Sequence, residues 1–184
     1  MKWLWIVLAV LAAFVLIVVV VGALLPAAHT VARKVRLPRP PAAVFTSITE
    51  TATQPSWRPG LKSVESLPSR DGKRCYREVL DFGPIDLCVE VEEPGHRLIT
   101  RIVTERSPFG GTWTFLLTPT ADGTELAITE HGEVHNVVFR FLSRFVFGHS
   151  ATIDAYLGGL AKHCGGTGAV QAAEPAPQLP ASGG

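Results

Sequence analysis

The chain has 184 residues, with 17 Lys+Arg against 16 Asp+Glu and a formal net charge of +1, a balance that leaves no electrostatic footprint for a nucleic-acid partner. That length holds one ordinary domain beside a targeting or anchoring segment. Hydrophobic residues make up 47% of the chain, and the surplus is concentrated at the start. Cys75, Cys88 and Cys164 show no CxxC spacing and no His partner at zinc-finger spacing, and an odd number argues against a complete disulfide framework. A Cys75–Cys88 bridge between neighbouring strands and reduced, buried thiols are both open, the second being the simpler. No Gly-rich phosphate loop and no internal repeat is visible.

From Trp3 to Ala28 no residue is charged. As a helix, about 22 of these residues rise roughly 33 Å, enough for a hydrocarbon core of about 30 Å. A lysine or glutamate near the centre of such a run would cost about 3 kcal/mol. Residues 3–25 therefore read as one membrane-spanning anchor, with Trp3 and Trp5 where an aromatic belt would sit and Gly22 and Pro26 at the far end. A cleaved signal peptide is the rival reading, since Lys2 precedes the run and Pro26-Ala27-Ala28 offers small residues. Its apolar region would ordinarily be only about 7–15 residues long. Only Lys2 and the amino terminus precede the segment, whereas Arg33, Lys34, Arg36 and Arg39 follow it. The positive-inside rule then places the following domain in the cytoplasm. The same four residues also read as members of a strand, which weakens them as topology signals.

Residues 29–164 read as one compact domain. His29–Leu37 alternates as a strand and is stopped by Pro38, Pro40 and Pro41. Pro40-Pro41 suits a helix start, and Ala43, Val44 and Ile48 give that helix a short apolar face. Thr51–Trp57 reads as a second short helix or turn, closed by Pro59-Gly60. Six strands are predicted at Leu61–Leu67, Arg74–Phe82, Ile85–Val91, Arg97–Val103, Thr112–Thr118 and Thr124–Val134. Between them stand the turn pairs Asp71-Gly72, Gly83-Pro84, Pro94-Gly95, Gly110-Gly111 and Asp122-Gly123. Apolar–polar alternation in these strands means an antiparallel sheet with one buried and one wet face. Val138, Phe141, Leu142, Phe145, His149, Ile153, Tyr156, Leu157 and Leu160 recur at helical spacing, which predicts one long amphipathic helix over Asn136–His163 with a bend at Gly148. Residues 165–184, with Val170 and Leu179 their only large apolar residues, read as a disordered Gly/Ala/Pro-rich tail.

The order is strand, two short helices, six strands, long helix. It is an α+β pattern in which a curved seven-stranded antiparallel sheet wraps a long C-terminal helix. Local motifs point the same way: Arg39-Pro40-Pro41-Ala42-Ala43-Val44-Phe45, Pro55-Ser56-Trp57-Arg58-Pro59, and Gly111-Thr112-Trp113-Thr114-Phe115 with Pro119, Asp122-Gly123-Thr124 and Glu130. The domain resembles the START-like helix-grip superfamily, which includes Bet v 1 relatives and polyketide cyclase-like proteins and is often grouped as SRPBCC. The resemblance covers about Thr30 to Leu160 and is specific for fold, far less so for function.

What the resemblance implies is a pocket between sheet and helix, mainly apolar with a few placed polar groups. Its lining would be Trp57, Leu87, Val89, Trp113, Phe115, Leu126, Ile128, Glu130, Phe141 and Phe145, with Trp57 and Phe109 at the rim. The alternative is that these residues simply fill a core. Strand parity puts Glu130 with Leu126 and Ile128 on the inward face. It puts His131, Glu133 and His135 on the other, solvated face, so no metal and no cofactor is assigned. A deaminase reading of His131-Gly132-Glu133 fails because no Pro-Cys-x-x-Cys follows. Glu130, Glu78, Tyr76, Arg101 and His149 are the polar groups that could move protons in a cavity. On the outer side of the long helix, Phe139, Phe147, Arg140 and Arg144 could meet the bilayer or a partner helix. The expected partners are a lipid bilayer and a hydrophobic small molecule or lipid, held by a noncatalytic binding module. A cyclase or dehydratase using Glu130, and an interaction domain with a filled core, are the alternatives.

Overall fold

The fold is that of a computed structural model, which describes residues 2–104, 107–148 and 150–178, with backbone alone at Val146 and Phe147. His149, the side chain of Phe147 and Leu179, all named above, lie outside this description. Helix α1 spans Lys2–Leu24 and is long and apolar enough to cross a membrane. Leu25, Pro26 and Ala27 separate it from strand β1, Ala28–Leu37.

Pro41 opens helix α2, Pro41–Thr49, its missing N–H falling where a first-turn donor would be unpaired in any case. A 3-10 turn, Thr51–Ser56, leads into the sheet. Strands β2 Leu61–Arg70, β3 Lys73–Leu80, β4 Gly83–Glu93, β5 Arg97–Ile102, β6 Phe109–Thr120 and β7 Gly123–Val134 follow as an antiparallel meander. β1 closes on β7, giving the order β2-β3-β4-β5-β6-β7-β1 with a further short strand at the β1 edge. The six predicted strands all form, extended by one to three residues at most ends because the hairpin turns are tight. Asp71-Gly72 shows why: both residues have positive φ, 50° and 74°, the conformation a two-residue hairpin turn requires.

The concave face carries Val35, Leu37, Val89, Leu98, Phe115, Leu117, Leu126 and Ile128, packed with Val44, Phe45 and Ile48 of α2. Helix α4, Ala151–His163, lies across it and buries Ile153, Tyr156, Leu157 and Leu160 at i, i+3, i+4 and i+7. The four basic residues after α1 all find partners within this fold, Arg36 with its side chain still 80% exposed. Arg33 donates to Asp154 at 2.6 Å, Lys34 and Arg36 reach Glu125 at 3.2 and 3.4 Å, and Arg39 donates to the carbonyl of Cys164 at 3.2 Å.

Two expectations are corrected here, and one open alternative is decided. The long helix over Asn136–His163 is two helices: α3, Val137–Leu142, runs into a π-helical turn, Ser143–Phe147, and Gly148 at φ 73° separates it from α4. The apolar spacing of Phe141 and Phe145 is helical, yet α3 packs on α1 rather than on the sheet. The tail is ordered as far as it is described. Gln171–Ala172 forms strand β8 on the free edge of β1, Val170 packs on the core, and Ala176 N donates to Thr129 Oγ1 at 2.9 Å. Backbone pairing of this kind has no side-chain signature. Finally, Cys75 and Cys88 face each other in register on β3 and β4 and form a disulfide, leaving Cys164 as the free, buried thiol.

The outer face is also less open than expected. Thr129 and His131 are buried there, so His131 is not on a solvated surface as expected, although Glu133 and His135 are. Among the described residues its Nδ1 has no partner, and burial holds the imidazole below its usual pKa. The unfolded chain therefore binds this proton more readily than the folded one, so His131 costs stability as pH falls through about 6.5. Melting temperature should drop between pH 7.5 and 5.5, and His131→Gln should flatten that part of the profile in thermal scans.

Candidate functional site

The 3-10 turn and the residues just after it place Gln54, Trp57 and Arg58 over the concave face. Gln54, buried, donates from Nε2 to the Ile48 carbonyl at 3.0 Å and accepts at Oε1 from Arg58 Nη1 at 3.2 Å. This fixes Arg58 for a two-pronged ion pair with Glu78 of β3, Nη1–Oε1 2.5 Å and Nη2–Oε2 2.8 Å. The two side chains are 11% and 6% exposed. Burial alone would lower the Arg58 pKa, but the neighbouring Glu78 charge and hydrogen bonds outweigh it and raise it. The guanidinium carbon also stands 4.9 Å from the ring centroid of Tyr156, within cation–π range.

Tyr156 of α4 is the hub of an aromatic box. Trp57 and Trp113 meet it edge-on at 5.3 and 5.8 Å, and Phe115 meets it at a tilt at 5.6 Å. Trp57 also stacks on His163 at 5.6 Å, and Gly159 lets the Trp57 carbonyl approach where a Cβ would sit 2.5 Å from it. Burial raises the pKa of both Tyr156 and Tyr76 far above the usual phenol value, so both rings are neutral donors. The arrangement is a neutralised polar fixture set in an aromatic wall. It can orient a ligand's carbonyl or hydroxyl while the rings cover its apolar body.

The predicted lining divides in two. Val89, Phe115, Leu126 and Ile128 are buried in the core. Trp57, Leu87 and Trp113 are partly buried against it, with Val31 and Val64. Glu130 falls on the inward face, register partner of both Trp113 and Val31, its carboxylate 3.7 Å from His29 Nε2. Phe141 and Phe145 lie outside this site, ring to ring at 4.9 Å on the segment beside α1. Tyr76 and Glu78 are in the site, whereas Arg101 donates to Glu90 at 3.2 Å beside Cys88 on the outer face. Among the described residues no group of three His, Cys, Asp or Glu is placed to hold a metal ion. Gln54, Arg58 and Tyr156 were missed. Arg58 was in view only as part of the tryptophan turn, and the signal that could have found it is an arginine facing an unpaired inward glutamate twenty residues on.

An antiparallel sheet gripping a C-terminal helix around an aromatic-lined face defines an α+β helix-grip protein. The family described as "Polyketide cyclase / dehydrase and lipid transport" matches residues 28–165, and the chain belongs to it. Solved structures share the fold. The Zhui aromatase/cyclase from Streptomyces sp. R1128 is 12% identical, with a TM-score of 0.62 over 75% of this chain and 94% of that one. A conserved protein from Geobacillus kaustophilus is 19% identical, with a TM-score of 0.62 over 77% and 99%. The di-domain ARO/CYC StfQ from the steffimycin biosynthetic pathway is 14% identical, with a TM-score of 0.60 over 75% of this chain, which spans 51% of that protein. No functionally curated protein matched the sequence.

Proposed function

We propose that this chain is a membrane-anchored, noncatalytic binding protein for a hydrophobic small molecule or lipid. The observation that carries the reading is the aromatic box over the Arg58–Glu78 pair. Its half-buried apolar margin at Val31, Val64, Leu87 and Trp113 is area a ligand would remove from water. Glu78 is committed to its two-pronged pair with Arg58, and burial holds both tyrosines well above the usual phenol range, so neither phenol has the pKa near 7 that acid–base work favours. Native mass spectrometry of the full chain, released from detergent before and after organic extraction, tests this. A discrete extra mass of a hydrophobic compound, removed by extraction and lost in Trp113→Ala, is the expected result; a bare protein that takes up no lipid or fluorescent hydrophobe would sink it. One observation favours an enzyme instead: Glu130 faces the concave side beside Trp113. Glu130→Gln should leave ligand retention within about twofold in a binding protein, whereas a cyclase or dehydratase would lose turnover of that ligand.

In this reading α1 crosses the membrane and the domain lies on the oxidising side. The positive-inside argument for a cytoplasmic domain depended on Arg33, Lys34, Arg36 and Arg39, and each of these serves the fold. The Cys75–Cys88 disulfide points outward from the cytoplasm, where thiols are kept reduced. Membranes quenched in acid and alkylated under denaturing conditions should show one reactive thiol, Cys164, before reduction and three after. Three at the outset would return the domain to the cytoplasm.

A further inference from the structure

Several strand ends meet where α1 hands over to β1. Phe109 and Val134 are register partners there, and Val134 N donates to the Ala27 carbonyl at 2.8 Å. Phe82, in the β3–β4 turn, sets its ring edge-on to Phe109 at 6.1 Å and is 66% exposed. Helix α3 starts at the same corner, capped by Asn136 Oδ1, which accepts from the N–H groups of Val138 and Phe139. Arg140 clamps it in place, donating to the carbonyls of Val134 at 2.7 Å, His135 at 3.4 Å and Leu25 at 3.5 Å.

The depth of α3 is set by its partner. Its first residue lies so close to α1 that a Cβ on Gly22 would collide with the Val137 carbonyl. On α1 and the residue just after it, the shielded residues among those described are Val18, Val21, Gly22 and Leu25, at i, i+3, i+4 and i+7 on one face. From Val18 to Leu25 the axis advances about 10 Å. The segment alongside that last stretch still exposes Val138, Phe139 at 43% and Phe145 at 60%, together with the cationic Arg144. In water these side chains and Phe82 would be an unfavourable patch.

We infer that α3, the π-helical turn after it and the Phe82 turn form a second membrane contact, bedded in the headgroup–acyl boundary of the bilayer that α1 crosses. The inference rests on the reading of α1 as a spanning helix. An amphipathic segment in that boundary sits roughly 5–10 Å deep, the depth at which contact with the last turns of α1 holds α3. Arg144 would then stand among lipid phosphates. The consequence concerns the binding site. Val31, Leu87 and Trp113 lie toward this end of the concave face, so a hydrophobic ligand would pass between bilayer and domain without crossing water. The chain segment expected to cover this end as part of one long helix is instead held against α1.

The test places p-benzoylphenylalanine singly at Phe82 and Phe139 in the full chain, in nanodiscs of neutral and anionic phospholipid, and counts lipid photoadducts by mass. Val15, mid-way along α1, is the control for spanning. Asp122, exposed in the β6–β7 turn at the opposite end of the sheet, is the control for water. The expected result is adducts at 82, 139 and 15 at several times the yield at 122, with the Cys75–Cys88 bridge intact in each variant. Lipid capture at Val15 with yields at 82 and 139 no higher than at Asp122 would overturn the second contact and leave the anchor standing. No capture at Val15 would overturn both. Adducts at 82 or 139 to a second copy of the chain in place of lipid would also overturn it.

Discussion

Arg58→Ala should cost about 3–5 kcal/mol, the range for removing one partner of a buried ion pair, and so a large share of the stability of a domain in the 5–15 kcal/mol class. The reason is what remains. Glu78, 6% exposed, would be left buried with no cation beside it, Gln54 Oε1 would lose its donor, and the Tyr156 ring would lose the guanidinium over its face. Glu78→Ala strands the arginine in the same way. The double variant Arg58→Met/Glu78→Leu should recover most of the loss, because exchanging a buried pair for apolar groups of similar size is often close to neutral. Arg58→Lys should recover little, since an ammonium cannot make the two-pronged contact. Urea unfolding of the full chain in detergent, followed by tryptophan fluorescence, gives all four values. A loss under about 1 kcal/mol in Arg58→Ala would mean the pair is wetter than its burial indicates. The double variant also separates structure from function: a folded protein that no longer discriminates polar from wholly apolar ligands would assign ligand orientation to the pair.

How much of this was legible in the sequence follows from the range of the interactions involved. The apolar run of α1, the proline start of α2 and the alternation of the strands are local, and all are present in the fold. The parity that put Leu126, Ile128 and Glu130 on one face also holds, since a strand fixes it over these five residues. A bend at Gly148 was legible, but not that it is a full break sending the two halves to different partners. Phe141 and Phe145 keep helical spacing with Ile153 and Leu157, and spacing cannot say that one half of the stripe serves α1 and the other the sheet. Strand β8 forms through backbone groups of a Gln-Ala pair with no apolar pattern to announce it. The Arg58–Glu78 pair and the Cys75–Cys88 bridge each depend on register between segments, where a shift of one residue would turn the side chain to the opposite face.

Removing the bridge should therefore have a localised effect. Cys75→Ser/Cys88→Ser releases a loop with a sequence separation of 13, which in the chain-entropy account is worth about 3 kcal/mol. The β2–β4 half of the sheet has the thinner core: beyond the main cluster it relies on Leu61, Leu80 and Ile85 with Val64, Leu87, Ile102 and Phe109 around them. The β1, β6 and β7 half lies under α2 and α4, with Leu117, Leu126 and Ile128 fully buried. Loss of the cross-link should raise amide exchange in β2, β3 and β4 well before it touches β6 and β7, as expected when sub-global opening follows local stability. Glu78 and Leu87 belong to the loosened hairpin, so ligand retention should fall with the same variant while α1 still holds the chain in the membrane. A uniform rise in exchange over all strands would show instead that the domain opens as one cooperative unit, and that the bridge stabilises the whole sheet rather than the edge that carries the polar half of the site.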